Sequence, residues 1–244
     1  MDLPPVAATP MLIPVGVVHS PFKEKFGIPR QPGLISAVPG TIELLPPYNQ
    51  PDAVRGLEAF SHIWVLFLMH AIPAEQTGLT ARPPRLGGNT RVGVFASRST
   101  HRPNRIGQSV VRLEAVEAAG SEILLRISGH DLLDATPVLD IKPYLPYADA
   151  IGGAIGGYAD DAPAECLTIA WSNAAATQID AARISVGWDL RALIEAMLRL
   201  DPRPAYRAER DSARLYGMRV DRYDVRFEIR GTCAHILDVV PYPV

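Results

Sequence analysis

Prolines set the first constraint on what this chain can fold into. Its 244 residues include 23 prolines, concentrated in the first two-thirds. A proline lacks the amide hydrogen that a helix interior needs, and its ring clashes with the carbonyl one turn back, so long helices are disfavoured there. What remains are short apolar runs between Pro and Gly, which read as strands. The best candidates are 12–18, 63–69, 91–96, 109–116 and 123–128. In the last of these, Ile123, Leu125 and Ile127 alternate with Leu124, Arg126 and Ser128, the period of two expected of a half-buried strand. Residues 63–69 are apolar throughout, which implies burial on both faces or a central place in a sheet. A short helix is expected over 52–58, with Asp52 near its N-terminus.

Residues 152–161 are rich in Gly and Ala with paired acids and show no periodicity, so they read as a linker. Beyond them the pattern changes. Leu190, Leu193, Ile194, Met197 and Leu198 fall on one helical face between about 186 and 200, and Asp201-Pro202 ends that helix. Val225, Phe227 and Ile229 alternate with Arg226, Glu228 and Arg230, as in an antiparallel strand, and 235–240 makes a second. The expected fold is therefore mainly β, with a small α+β unit at the C-terminal end.

Composition narrows the functional classes. With 48% hydrophobic residues the chain can bury a core, and its net charge of −2 leaves the partner open. No apolar run approaches the roughly 20 residues of a membrane span. Residues 1–10 have three prolines and no basic region leading into an apolar stretch, so they read as a short frayed arm rather than a secretory signal, and a cytosolic, cytoplasmic protein is expected. Cys166 and Cys233 have no second thiol or histidine at ligand spacing, so neither a disulfide framework nor a metal site is expected, and both thiols read as buried and inert. There is no G-x-G-x-x-G after a strand, no P-loop, no H-E-x-x-H and no G-x-S-x-G. Gly152-Gly153 and Gly156-Gly157 lack the Lys-Ser/Thr ending of a phosphate cradle and go with the linker.

The strongest local signal is electrostatic. Arg82, Arg85, Arg91, Arg98, Arg102, Arg105 and Arg112 fall in one stretch that contains no Asp or Glu. Guanidinium forks bind phosphate and carboxylate through paired hydrogen bonds. The alternative is a solvated face whose charges pair with acids elsewhere. A second cluster, Pro29-Arg30-Gln31-Pro32-Gly33, is a stiff loop presenting Arg30 and Gln31, or an ordinary turn. In a third, Asp131, Asp134 and Asp140 alternate with apolar residues ahead of Lys142 and Tyr144. These acids cap turns, or one of them meets a ribose hydroxyl or a cation. His70 ends the apolar run; a lone histidine there is more often structural, and His62 and His19 have weaker claims.

Several blocks in order carry a resemblance. They are His19-Ser-Pro-Phe-Lys-Glu-Lys-Phe, Pro29-Arg-Gln-Pro-Gly-Leu, Asp52-Ala-Val-Arg-Gly-Leu-Glu-Ala-Phe-Ser-His, Arg82-Pro-Pro-Arg-Leu-Gly-Gly-Asn, Gly93-Val-Phe-Ala-Ser-Arg-Ser-Thr-His-Arg-Pro-Asn and Asp140-Ile-Lys-Pro-Tyr-Leu-Pro-Tyr-Ala, with Asp201-Pro-Arg-Pro-Ala-Tyr-Arg farther on. Over about 12–151 the chain resembles the TsaA-like family, which includes bacterial tRNA methyltransferases acting on threonylcarbamoyl-adenosine. The resemblance implies a β-barrel domain over 10–152 that binds S-adenosyl-L-methionine, a small α+β domain over 165–244, a homodimer, and methylation of the exocyclic nitrogen of the modified adenosine beside the anticodon. Carried over by position, the cofactor contacts are Pro29, Arg30, Gln31, His70, Ala71, Arg98, Gln108, Asp134, Ala135, Thr136 and Pro137. The chain departs from the family pattern at Arg105 (usually Pro), His101 (commonly Phe), Gln108 (usually apolar), Ala135 (Gly) and Ala71 (frequently Gln). Ala135 matters most if that position needs a positive φ.

Methyl transfer needs nucleophile and methyl carbon held in line in a dry site. Arg30 or Arg98 is expected to clamp the methionine carboxylate, and Asp134 to hold the ribose or the cationic end. Asp134, Asp140 and His70 are the candidates for accepting the acceptor's proton. Arg102 could recognise the threonyl carboxylate, and Arg82, Arg85, Arg102 and Arg105 would grip phosphates of the tRNA anticodon stem-loop. The C-terminal unit either extends that surface with Arg203, Arg207, Arg210 and Arg214, against which stand Glu209, Asp211 and Asp221, or serves packing. The competing reading is a non-catalytic β-barrel module that binds RNA or a nucleotide.

Overall fold

The computed structural model describes residues 11–73, 75–204 and 214–242. Arg207, Glu209, Arg210, Asp211 and the whole of the expected N-terminal arm, residues 1–10, lie outside the described residues. In chain order the elements are β1 (Gly16–His19), β2 (Pro39–Leu44), α1 (Pro51–Val54), β3 (His62–Leu68), β4 (Thr80–Ala81), β5 (Val92–Gly93), β6 (Ile106–Ala119), β7 (Glu122–Ser128), β8 (Pro137–Pro143), α2 (Pro146–Asp149), β9 (Thr168–Trp171), α3 (Asn173–Val186), α4 (Leu190–Arg199), β10 (Leu215–Val220), β11 (Tyr223–Arg230) and β12 (Cys233–Pro241).

Six strands close a barrel in the order β1-β2-β7-β6-β3-β8, with every neighbouring pair antiparallel. The closing contact is short, Gly16 and Val17 of β1 meeting Val138 and Pro137 of β8, and it leaves no strand of the sheet as a free edge strand. The interior is filled by Val18, Ile42, Ile63, Val65, Val111, Leu125, Ile127 and Val138, so the barrel is a packed core and not a channel. β7 alternates as its sequence requires, with Ile123, Leu125 and Ile127 buried. The run at 63–69 is not buried on both faces: Ile63 and Val65 point inward, while Trp64 and Leu66 are half-covered. A closed sheet has one inside, and the outward face is covered only where other segments cross it.

Other expectations are corrected. Only Val92–Gly93 of 91–96 is a strand, paired with β4, and Val94–Ala96 turns into a 3-10 coil. The first strand starts at Gly16, not at residue 12. The helix at 52–58 is two short turns split by Gly56, whose φ is 83°. Neither thiol is fully buried: Cys166 is exposed and Cys233 half-exposed.

The second unit is a four-stranded sheet in the order β10-β11-β12-β9, antiparallel except for β9, which runs parallel to β12. α4 starts at Asp189, whose Oδ1 accepts the Ala192 amide at 3.1 Å, and buries Leu190, Leu193, Ile194, Met197 and Leu198 as the periodicity required. α3 was not anticipated; Ser172 caps it and Gly187, at φ 77°, ends it. The core of this unit also takes in Phe22, Ile35 and Val38 from the connection between β1 and β2. No helix among the described residues is long and apolar enough to cross a membrane.

Candidate cofactor and RNA site at one end of the barrel

Antiparallel pairing around the closed barrel puts the ends of β1, β3 and β7 and the starts of β2, β6 and β8 at one rim. Three connections leave that rim, at 20–38, 69–105 and 129–136. They carry all the sequence-derived cofactor residues except Gln108 and Pro137, which stand near or at the rim ends of β6 and β8.

The connection into β8 is laced to the exit of β1. Val18 donates to the Thr136 carbonyl at 3.0 Å, Ala135 donates back to Val18 at 2.8 Å, and the Asp134 amide reaches the Phe22 carbonyl at 2.9 Å. This fixes the Asp134 carboxylate. Oδ1 accepts the Ser20 amide at 2.8 Å, and Oδ2 pairs with Lys23 Nζ at 2.7 Å. Thr136 Oγ1 stands 3.4 Å from His70 Nδ1, and Lys25 Nζ donates to the Ala71 carbonyl at 2.7 Å. Burial lowers the His70 pKa; the Leu68 carbonyl opposes this, the Lys25 charge lowers it further and Asp134 raises it. The ring is therefore neutral at neutral pH, with proton-accepting capacity.

Ala135 sits at φ 59°. The position is left-handed, the case in which a glycine would be at ease, and alanine holds it with its amide bonded to Val18. Arg105, at φ 53°, occupies a conformation closed to proline.

A second group stands beside the first. An Arg98 N–H donates to Gln31 Oε1. Behind it, the Ser109 hydroxyl donates to Asp131 Oδ1 at 2.6 Å. Burial pushes the Asp131 carboxyl up, partly offset by the Ser109 bond and the Arg98 charge. Asp131 and Asp134 lie on the same 129–136 connection, so the Gln31–Arg98 pair and the Asp134–His70 group share a support. Gln108 lies next to Ser109, opposite Leu66 of β3. Two residues stand apart. Arg30 donates to the Arg203 carbonyl of the second unit at 3.1 Å. Asp140 is engaged by the Ile141 amide at 2.9 Å and by Lys142.

The arginine stretch is not neutralised. Among the described residues, Arg82, Arg85, Arg91, Arg98, Arg102 and Arg105 form no ion pair, and only Arg112 meets a carboxylate, Glu114 at 3.2 Å. Several guanidinium groups instead brace the connection. Arg102 donates to the Ser97 carbonyl at 3.1 Å, Arg105 to Ile72 at 2.7 Å, and Arg85 to Asp161. Each guanidinium keeps further donors. Arg82, Arg85 and Arg91 are exposed. In the second unit Arg203 is spent on Asp201, at 2.7 Å, and Arg214 lies over the Tyr216 ring at 5.7 Å. No group of three His, Cys, Asp or Glu among the described residues could hold a metal ion.

The sequence reading missed Ser20, Lys23, Lys25 and the Ser109–Asp131 pair. Both lysines lay inside a quoted motif, but nothing local says that they reach Asp134 and Ala71, which are far away in sequence.

A family model described as the tRNA-methyltransferase O N-terminal domain matches residues 17–150, and one described as the TrmO C-terminal domain matches 164–242. The chain is 50% identical over 227 residues to RcsF of Pseudomonas aeruginosa, described as an S-adenosylmethionine-dependent methyltransferase, covering 93% of this chain and 96% of the relative. It is 45% identical to the tRNA (adenine(37)-N6)-methyltransferase of Escherichia coli, covering 88% and 91%. A crystal structure of TrmO from P. aeruginosa superposes with a TM-score of 0.80 at 44% identity, covering 98% of this chain and all of that one.

Proposed function

This chain belongs to the TrmO family, and from that membership we propose its acceptor and the residues that serve it. The activity is S-adenosylmethionine-dependent methylation of tRNA at N6 of adenine 37. The acceptor we propose is the threonylcarbamoyl-modified adenosine. One observation carries the reading: the connection bearing unpaired arginines leaves the same rim as the Asp134–His70 group. A donor of methyl, a carboxylate-bearing base and a phosphate backbone all need cations next to a small set of acceptors.

The donor set fits the cofactor. Arg98, held by Gln31 and with no ion-pair partner among the described residues, suits the methionine carboxylate. Asp134, fixed by Ser20 and Lys23, suits the ribose hydroxyls or the amino end, with backbone groups of Ala71, Ala135, Thr136 and Pro137 around it. Pro29, Arg30 and Gln31 are assigned to the same cofactor from the 20–38 connection, and Gln108 from near the rim end of β6. Bound S-adenosylmethionine supplies the methyl group. The protein's own work is to align the acceptor nitrogen and to remove its proton. His70 suits the second task best of the three candidates, because Asp134 and Asp140 are each committed to a lysine and a backbone amide. Arg102 is assigned to the threonyl carboxylate, and Arg82, Arg85 and Arg105 to anticodon-stem phosphates.

To the same proposal belong a barrel domain over 10–152 and an α+β domain over 165–244, a cytoplasmic location, and a homodimer, for which exposed Leu79, Phe95 and Ile106 offer apolar side chains to cover. The test of the acceptor is mass spectrometry of tRNA nucleosides after incubation with protein and methyl-labelled cofactor. Label should appear on threonylcarbamoyl-adenosine and depend on the prior modification. Equal labelling of tRNA lacking the threonylcarbamoyl group would show the acceptor to be wrong.

A further inference from the structure

We infer that the α+β unit is a working part of the cofactor site: it seats the 20–38 connection that bears Pro29, Arg30 and Gln31, and Gly27 is the contact that lets the two fit. The inference rests on the proposed cofactor role of those three residues.

The barrel meets this connection through polar bonds. Lys23 pairs with Asp134, Lys25 caps Ala71, and the Gly33 amide reaches the Gly129 carbonyl at 2.8 Å. The apolar side chains go the other way. Phe22, Ile35 and Val38 are buried in the core of the α+β unit, with Phe26 and Ile28 packed against it. The Phe26 ring lies 6.2 Å from Tyr216 and 6.4 Å from Phe227, nearly parallel to both. Backbone ties follow the same line. Phe22 bridges Val220, the Asp221 amide donates to Pro21 at 2.6 Å, and the Arg219 amide donates to Glu24 Oε1 at 3.0 Å. Arg30 itself donates to the Arg203 carbonyl.

Gly27 marks the closest approach. Its φ is 93°, and a Cβ there would lie 2.3 Å from Met218 Sδ and 2.9 Å from Met197 Cε. Both methionines are fully buried, so neither can swing aside without vacating the core. Pro29 and Pro32 stiffen the chain that follows, so a displacement at residue 27 is passed on to Arg30 and Gln31. The α+β unit thereby sets where one wall of the proposed cofactor site stands; Gly27, Glu24 and Met218 are positioning residues.

The test is calorimetric titration of the full chain with S-adenosylmethionine. Gly27→Ala should weaken binding about tenfold, by lowering the population of the seated connection. Met218→Ala in the Gly27→Ala background should recover part of that loss, because it empties the space the new methyl needs. Glu24→Ala, at a partly exposed residue, should weaken binding about threefold and serves if Gly27→Ala does not fold. In turnover, KM for the cofactor should rise while kcat at saturating cofactor holds. Cofactor affinity unchanged in both Gly27→Ala and Glu24→Ala would overturn the inference. Arg30→Ala and Gln31→Ala separate the two levels: if they bind as the parent does, the cofactor role of the connection fails and this inference falls with it. If they weaken binding while Gly27→Ala and Glu24→Ala do not, only the role of the α+β unit fails.

Discussion

His130 tests how the rim is wired. Its ring is 1% exposed, with Nε2 3.0 Å from the Pro39 carbonyl and Nδ1 3.2 Å from the Leu132 amide. A carbonyl only accepts and an amide N–H only donates, so Nε2 carries the hydrogen and Nδ1 the lone pair. A second proton would set two donors against each other in a buried space. Burial pulls the imidazole down from 6.5 to about 4, against the opposing pull of the Pro39 carbonyl. A depressed histidine pKa means that the unfolded chain takes up the proton first. The stability due to the neutral ring is full above the unfolded pKa and is lost as pH falls toward the folded one. With those two values the loss is about 2 kcal/mol between pH 7 and pH 5. The assay is urea unfolding at pH 7, 6 and 5, comparing the parent with His130→Gln, whose amide can keep the Pro39 bond but cannot titrate. At pH 7 the variant should be weaker by about 1–2 kcal/mol, because the Leu132 amide loses its acceptor. By pH 5 that gap should shrink by about 2 kcal/mol. Asp131, whose raised pKa acts in the opposite sense, is present in both proteins and cancels in the difference. A gap that stays constant from pH 7 to pH 5 would refute the assigned tautomer and the burial argument together.

Other expectations follow from the same geometry. Arg98→Ala should weaken S-adenosylmethionine binding by about 2 kcal/mol, roughly thirtyfold, through loss of a charge-assisted pair; unchanged affinity in calorimetry removes Arg98 from the site. Ala135→Gly relieves a left-handed alanine and should raise the unfolding free energy by about 1 kcal/mol, read from the urea midpoint. Removing Arg82 and Arg85 together should lower the slope of log tRNA affinity against log salt by about 1.5, with affinity for the cofactor intact. Asp201→Ala strands the Arg203 guanidinium, which is 7% exposed, and should destabilise the chain by about 3 kcal/mol in the same unfolding assay.

How far the sequence could be read depended on how local each cause was. Alternation in β7 and the apolar stripe of α4 are local patterns, and both hold in the structure. The barrel was legible only through the family resemblance, since closure depends on β1 meeting β8 across the length of the domain. α3 escaped because two of its buried residues, Ala175 and Ala182, are alanines beside Ile179, and further alanines around the helix blur the stripe. The run at 91–96 looked like a strand because Val92, Val94 and Phe95 are apolar, yet Phe95 is 81% exposed and the chain turns at Val94. At the site, the arginine excess was visible, but its lack of acidic partners was not, because pairing is a long-range property. Lys23 with Asp134, and Ser109 with Asp131, are joined only once the rim is assembled.

A packed barrel leaves its chemistry nowhere to go but the rim. Its interior is occupied by side chains, so ligands must be met by the connections, and these have few ladder bonds to hold them. They are held instead by side chain to carbonyl bonds from Lys25, Arg85, Arg102, Arg105 and Tyr158, and by strained turns. Every left-handed residue other than glycine among the described residues belongs to this problem. Asn104 and Arg105 turn the arginine connection into β6, and Ala135 turns the last connection into β8. Asp221 sends its amide to Pro21, and Asp201 fixes the guanidinium of Arg203, whose carbonyl takes Arg30. Conformational strain of this kind persists only where the surroundings over-determine it. That it falls on two of the three connections, and on the two turns of the α+β unit that touch the third, argues that barrel rim and α+β unit were shaped as one site.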